Sequence, residues 1–344
     1  MTAADVSVYL VGDVRLENDD ALALCAPALR EADILFANLE TVISDVWDAS
    51  AVSEHRDVSS RERAAPAYGA AGFSVLNMAN NPSMRLGWPA FARCMELLEG
   101  QGIAHIGGGR NVDEARRPAI LERNGTTIAF IGYGCVVDPA HAARKDRPGV
   151  ARFRVHTDYR PQARFFEVPG SPPIIITTPY PDDLAALRDN IRSAKEQADV
   201  VVVSWHWGVS PATGGHNELI DYQVELGHQC IDAGADVVVG HHPHALQGVE
   251  VYQGKVIFYS LGNFVPFSAP PRPEATMVAR LRISEKQVRE VAFLPAHINE
   301  RNQPVLAAAA DSGDVVEHVR QASQRFGTRF RLDGDSVIVE TTAS

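Results

Sequence analysis

Only four cysteines occur among the 344 residues, and Cys25, Cys94, Cys135 and Cys230 lie far apart with no CxxC pair. Their scarcity excludes a disulfide framework and a structural zinc site built on thiolates. Cys94 and Cys230 sit in helical patterns and read as ordinary core residues. Basic residues are also in deficit: 32 Lys and Arg face 43 Asp and Glu, a net charge of −11. With no Lys/Arg-rich run, nucleic acid and anionic membranes are poor partners. No apolar run approaches the ~18 residues of a membrane span. Met1-Thr2-Ala3-Ala4-Asp5 leads straight into a strand, with no secretory signal. The expectation is a reduced, cytoplasmic protein. Repeats and low-complexity tracts are missing too. What is present is a large apolar share, 45%, enough for one big domain or two intimate ones.

The most informative stretch is Asp236-Val237-Val238-Val239-Gly240-His241-His242-Pro243-His244. Its valines end a buried strand, its glycine allows a turn, and its histidines follow at once. On an extended segment His242 and His244, two apart, would point the same way. Two imidazoles converging past a strand end are metal-ligand geometry, and open α/β sheets place their sites there.

Other strands end on similar chemistry. Val6 to Val11 runs into Gly12-Asp13, and Asp33 to Ala37 into Asn38-Leu39-Glu40. Gly72 to Ala79 is followed by Asn80-Asn81-Pro82, and Asp199 to Trp205 by His206-Trp207-Gly208. Asp13, Glu40, Asn81, His206, His242 and His244 thus arrive at one edge. Mixed oxygen and nitrogen donors suit a divalent Ca, Mn, Mg, Fe or Zn ion.

Between these strands the patterns predict helices over 21–30, 90–99, 183–197, 217–233 and 315–325. Residues 118–122 and 126–132 read as a hairpin around Asn124-Gly125. Residues 276–283 and 287–294 read as an antiparallel pair, closed by Pro295-Ala296-His297-Ile298, and 336–339 as a last strand. The glycine run 107–109 lacks phosphate-loop spacing and reads as a tight turn. Residues 44–66 read as a long loop, either a lid over the site or a surface insertion. Residues 136–183 read as irregular and carry Arg144, Arg147, Arg152, Arg154, His156, Tyr159 and Arg160. That cluster either grips a carboxylate-bearing substrate or is a solvated face.

The ordered motifs GD, NLE, NN, HWG, GHHPH and YSLGNF resemble the CapA-like, poly-γ-glutamate capsule synthesis branch of the calcineurin-like metallophosphoesterases, over roughly residues 6–300. The resemblance implies an α/β fold, a four-layer α/β/β/α sandwich with metal between the sheet edges. It implies a catalytic domain over 1–310 with the helix and strand of 311–344 packed on it. It carries the six residues above onto metal-ligand positions, and Asn263 onto the asparagine of the SLGNF signature. One motif departs. The family's third motif reads Asn-Asn-His with an aspartate three positions later, whereas Pro82 and Arg85 stand in those places here. That pair is the usual acid for a phosphoester leaving group, a role worth roughly 10²–10⁴ in rate.

CapA-like proteins also include lasso-peptide epimerases. The expectation is therefore a metal-dependent enzyme acting on a peptide by acid/base chemistry, most concretely epimerisation at a Cα of a peptide with a free C-terminal carboxylate. The alternatives are a metal-dependent phosphoesterase and a poly-γ-glutamate synthesis or binding protein. Asp13, His206 and His297 are the expected catalytic groups, with Asp13 and His297 on opposite faces of the Cα.

Overall fold

A computed structural model describes residues 5–17, 19–48, 59–164, 166–210, 218–268 and 274–341. The chain has the α/β architecture expected, built on two large sheets. In the first sheet, Val6–Val14, Ile34–Leu39, Phe73–Asn77 and Ala104–Ile106 lie side by side and parallel. On the other side of Val6–Val14, the strand Glu274–Ser284 pairs antiparallel, followed by Gln287–Ile298. The second sheet runs in the order Val249–Tyr252, Lys255–Phe258, Val237–His241, Val200–His206, Thr126–Gly134, Ala119–Arg123. Its four middle strands are parallel.

Strand pleating divides the core. Val6, Val8 and Leu10 pack in one cluster with Ile128, Phe130, Val200 and Val202 of the second sheet. Their neighbours Tyr9, Val11 and Val14 join Leu29, Tyr68 and Phe91 from the helices Ala26–Leu29, Ala65–Ala71 and Trp88–Gly100. Val201, Val203 and Trp205 pack with Leu187 and Ile191 of the helix Pro181–Gln197 and Leu226 of the helix Asp221–Ala233. Alternate residues of one strand therefore serve two cores. The C-terminal segment joins in: Val315, Val316 and Val319 enter the cluster shared by the sheets, and Ser336–Val339 pairs with Val291, Ala292 and Phe293.

Several local expectations change. The helix expected over 21–30 is a 3-10 turn, Asp19–Leu22, and one turn of α-helix, Ala26–Leu29, with Pro27 in its first turn. Residues 136–183 contain a hairpin, Val155–Arg160 with Ile174–Pro179. It is exposed on both faces, so its sequence shows no clean alternation. The stretch 44–66 is anchored at both ends. Ser44 N–H donates to Ser60 O at 3.0 Å and Asp48 N–H to Leu86 O at 2.8 Å. Arg93 holds Glu62 at 2.7 Å, and residues from 62 onward are helical. Its middle, 49–58, lies outside the described residues. The hairpin around Asn124-Gly125 forms as expected, both residues at positive φ.

Candidate metal centre

Parallel strands of both sheets deliver their C-terminal ends to one place. Asp13 lies in register between Asn38 and Asn263, and His206 between Gly134 and His241. Asp13, Glu40 and His206 each present a ligand atom, all within 4.8 Å of one another. Asp13 is held from several directions. Its Oδ2 is 3.2 Å from His244 Nδ1, its Oδ1 accepts from Asn38 Nδ2 at 2.8 Å, and the N–H of His242 donates to Oδ2 at 3.4 Å. His241 Nδ1 stands 3.5 Å from Asp13 Oδ1. Glu40 Oε2 is 3.6 Å from His206 Nδ1. Asn81 Oδ1 meets His206 Nε2 at 2.8 Å, and Asn263 Oδ1 meets His244 Nδ1 at 3.0 Å. The rings of His206 and His242 are 4.7 Å apart between centroids, those of His242 and His244 5.7 Å.

Asn38 organises the carboxylates. It is fully buried, and its Nδ2 donates to Asp13 and, at 2.6 Å, to Glu40. Its Oδ1 accepts from Asn77 Nδ2 and Asn80 Nδ2, both at 3.0 Å. Both donors and both acceptor sites of the amide are used, which fixes its orientation.

The donor set fits a divalent ion. Two carboxylates and several imidazoles are the expected mixture. Both ring nitrogens of His241, and Nδ1 of His242, are buried without a hydrogen-bond partner among the described residues. Buried polar atoms left in this way are costly unless something coordinates them.

All six residues expected as ligands reach this neighbourhood, but not all for the expected reason. The strand Val237–His241 ends on His241, and His242 and His244 have φ of +94° and +58°. The segment is a turn, so their convergence comes from left-handed backbone rather than from the pleat of an extended strand. Left-handed backbone at non-glycine residues costs about 1–3 kcal/mol each and is concentrated at functional sites. His241 was missed. The signal available was its place as the last residue of a valine strand, level with His206 in the neighbouring strand.

His297 is a correction. It does not follow a strand end; it lies inside Gln287–Ile298, level with Ala275 and Val305. Its Nε2 pairs with Asp314 Oδ2 of the last helix at 2.8 Å. Among the described residues no hydrogen bond or ion pair joins it to the cluster.

The electrostatics separate the groups. Burial pushes the Asp13 carboxyl up, but the His241 and His244 imidazoles outweigh it and hold Asp13 well below the usual carboxylate range. Burial, helped by the charge of Asp13, pushes Glu40 up to about 8. His206 is driven well down by burial and then by His242. Burial and the charge of His244 take His242 down to about 4. Burial opposes protonation of His244 as well, yet the hydrogen bond and charge of Asp13, with Glu40 and Asn263, raise it to about 9. The positive charge of Arg85 acts on both Glu40 and His242. At neutral pH the metal-free cluster therefore holds protons on Glu40 and His244, beside an ionised Asp13 and neutral His206 and His242.

Comparison with known proteins places this centre in context. The "PGA biosynthesis protein CapA" of Bacillus subtilis is 29% identical over 283 residues, 82% of this chain and 66% of that protein. This chain thus spans just under two thirds of that relative's length. The "Capsule biosynthesis protein CapA" of Bacillus anthracis is 25% identical over 333 residues, 93% of this chain and 74% of that one. A "Probable polyglutamine synthesis accessory protein" of Mycobacterium tuberculosis is 27% identical over 324 residues, 89% and 76% of the two chains. Among solved structures, a hypothetical protein from Thermus thermophilus is similar at a TM-score of 0.48 and 14% identity, over 85% of this chain and 99% of that one. The family described as "Bacterial capsule synthesis protein PGA_cap" matches residues 7–267, from the first strand past Asn263, and the chain belongs to that family.

Proposed function

We propose that the chain serves poly-γ-glutamate synthesis as a metal-dependent protein that binds the polymer at the Asp13–Glu40–His206 centre. The observation that carries this reading is the buried carboxylate–imidazole cluster, found in a chain whose relatives are named for PGA, capsule and polyglutamine synthesis. Asp13, Glu40, His206, His241, His242 and His244 are the groups that would hold a divalent ion. Such an ion would polarise a carbonyl bound to it. Glu40 and His244 carry protons at neutral pH in the metal-free cluster and would give them up as the ion binds. Arg85 adds fixed positive charge for a carboxylate-rich ligand.

Two other readings lose ground. Phosphoester hydrolysis lacks an acid at the third motif, because Pro82 has no proton to give. Peptide epimerisation lacks its second group, because His297 is engaged with Asp314. The relatives' names favour the capsule polymer over a lasso peptide.

The test combines metal analysis with calorimetric titration of a γ-linked glutamate oligomer. The expected outcome is stoichiometric divalent metal, and oligomer binding that EDTA and Asp13→Asn both remove. Turnover of an aryl phosphate with no affinity for the oligomer would overturn the reading in favour of a phosphoesterase.

A further inference from the structure

Four arginines gather in a cleft of about 330 Å³, where Arg116, Arg144, Arg152 and Arg154 meet a single carboxylate, Asp183. That carboxylate is already taken. Arg154 grips it bidentately, Nε to Oδ2 at 2.9 Å and the terminal nitrogen to Oδ1 at 2.8 Å, and adds its own backbone N–H at 2.8 Å. Arg116, Arg144 and Arg152 form no ion pair with any described residue. Arg116 Nε and Arg152 Nε are buried without a hydrogen-bond partner among the described residues. An unpartnered buried donor on a charged group is expensive, and a chain with net charge −11 had many carboxylates to spare for it.

The cleft adjoins the metal centre along the backbone. Ala151 O accepts from Gly134 N–H at 3.0 Å and Gly134 O from Phe153 N–H at 2.8 Å, so Arg152 is clamped against Gly134. Gly134 is the residue level with His206, whose carbonyl accepts from Cys135 N–H at 2.8 Å. The backbone of Arg152 is therefore separated from His206 by one strand.

We propose that Arg116, Arg144 and Arg152 form a carboxylate-binding subsite that takes a pendant carboxylate of the bound polymer. The choice of a polymer carboxylate rests on the function proposed above. A γ-linked glutamate chain carries one free α-carboxylate per residue, so a neighbour of the residue at the metal presents one. Guanidinium forks match that planar acceptor. An isolated basic cleft in an acidic surface also draws a polyanion to this edge and away from the rest.

The experiment uses the full chain, with Arg116→Gln and Arg152→Gln singly and together, and Arg144→Gln as an exposed variant that leaves packing untouched. Metal content and thermal melts confirm folding. Three probes are titrated: a γ-linked glutamate oligomer, the same oligomer with its α-carboxylates amidated, and citrate. The expected result is about tenfold weaker oligomer binding for each arginine removed. The amidated oligomer should bind wild type and variants alike. Oligomer affinity unchanged in folded variants would overturn the subsite while leaving the polymer reading intact. Arginine-dependent citrate binding with no oligomer binding would keep the subsite and overturn the polymer. Loss of neither probe on substitution, with wild type binding neither, would overturn both.

Discussion

At the scale of the residue, the centre is a set of protons waiting to be displaced. Without metal, Glu40 keeps its proton up to about pH 8 and His244 up to about pH 9, whereas His242 at about 4 is already neutral. A metal ligand must be unprotonated, so binding expels the protons on Glu40 and His244. The sign follows: below these values the protons compete with the ion, and affinity rises as pH climbs through 8 to 9. Titrations with a divalent ion at pH 6, 7, 8 and 9 should show affinity increasing at each step, with proton release that shrinks as pH rises. A flat profile would mean that neither residue binds the ion. Asn38 shows how little of the supporting shell can be read from sequence. It opens the NLE motif inside the second strand, but nothing in that motif tells that its amide ties both carboxylates together.

At the scale of the element, the ligands depend on how closely strand ends approach one another. A Cβ on Gly12 would lie 2.0 Å from Gly262 O, the same carbonyl that accepts from Asp13 N–H at 3.0 Å. Gly240 is equally tight, 2.0 Å from Tyr259 O. Both glycines are inside strands rather than at their ends, where the residue pattern alone puts them. Gly12→Ala must push the first strand off the segment after Leu261 and carry Asp13 with it. Overpacking of this kind costs about 1–3 kcal/mol. Urea denaturation should register that loss, and metal analysis should show sub-stoichiometric ion; unchanged stability and content would show that the strand ends give way freely.

The same elements explain what was legible. Asp13, Glu40 and His206 stand out because a run of β-branched or apolar residues stops on each of them. The turn through His242 and His244 does not, because left-handed backbone at histidine leaves no trace in spacing. His297 misled because Pro295 reads as a strand terminator. It sits instead where the strand's outer partner changes from Ser336–Val339 to Pro304–Leu306, where a missing N–H costs the ladder little. The α/β class was plain from the valine runs; the exposed hairpin of 155–179 was hidden by its lack of a buried face.

At the scale of the whole molecule, the centre joins two sheets. Asp13 and Glu40 lie at strand ends of the first, and His206, His241, His242 and His244 at strand ends of the second or just past them. An ion held by both stabilises the folded chain alone, by about 2.7 kcal/mol at a hundred times its dissociation constant. Thermal unfolding in EDTA should therefore begin earlier than with excess metal, and re-addition of the ion should restore it. Identical curves would mean that no ion binds the folded chain in preference to the unfolded one.

The long separation of these ligands bears on how the chain is made. Asp13 and His242 are 229 residues apart. At about 5–20 residues per second, a ribosome needs on the order of ten to fifty seconds to pass from one to the other. The antiparallel neighbour of the first strand, Glu274–Ser284, emerges later still. For that interval a strand of valines and leucines has one long edge open, and no metal can help close it. Nascent chains stalled before His242 should thus be held by chaperones, and those stalled well after Ser284 released.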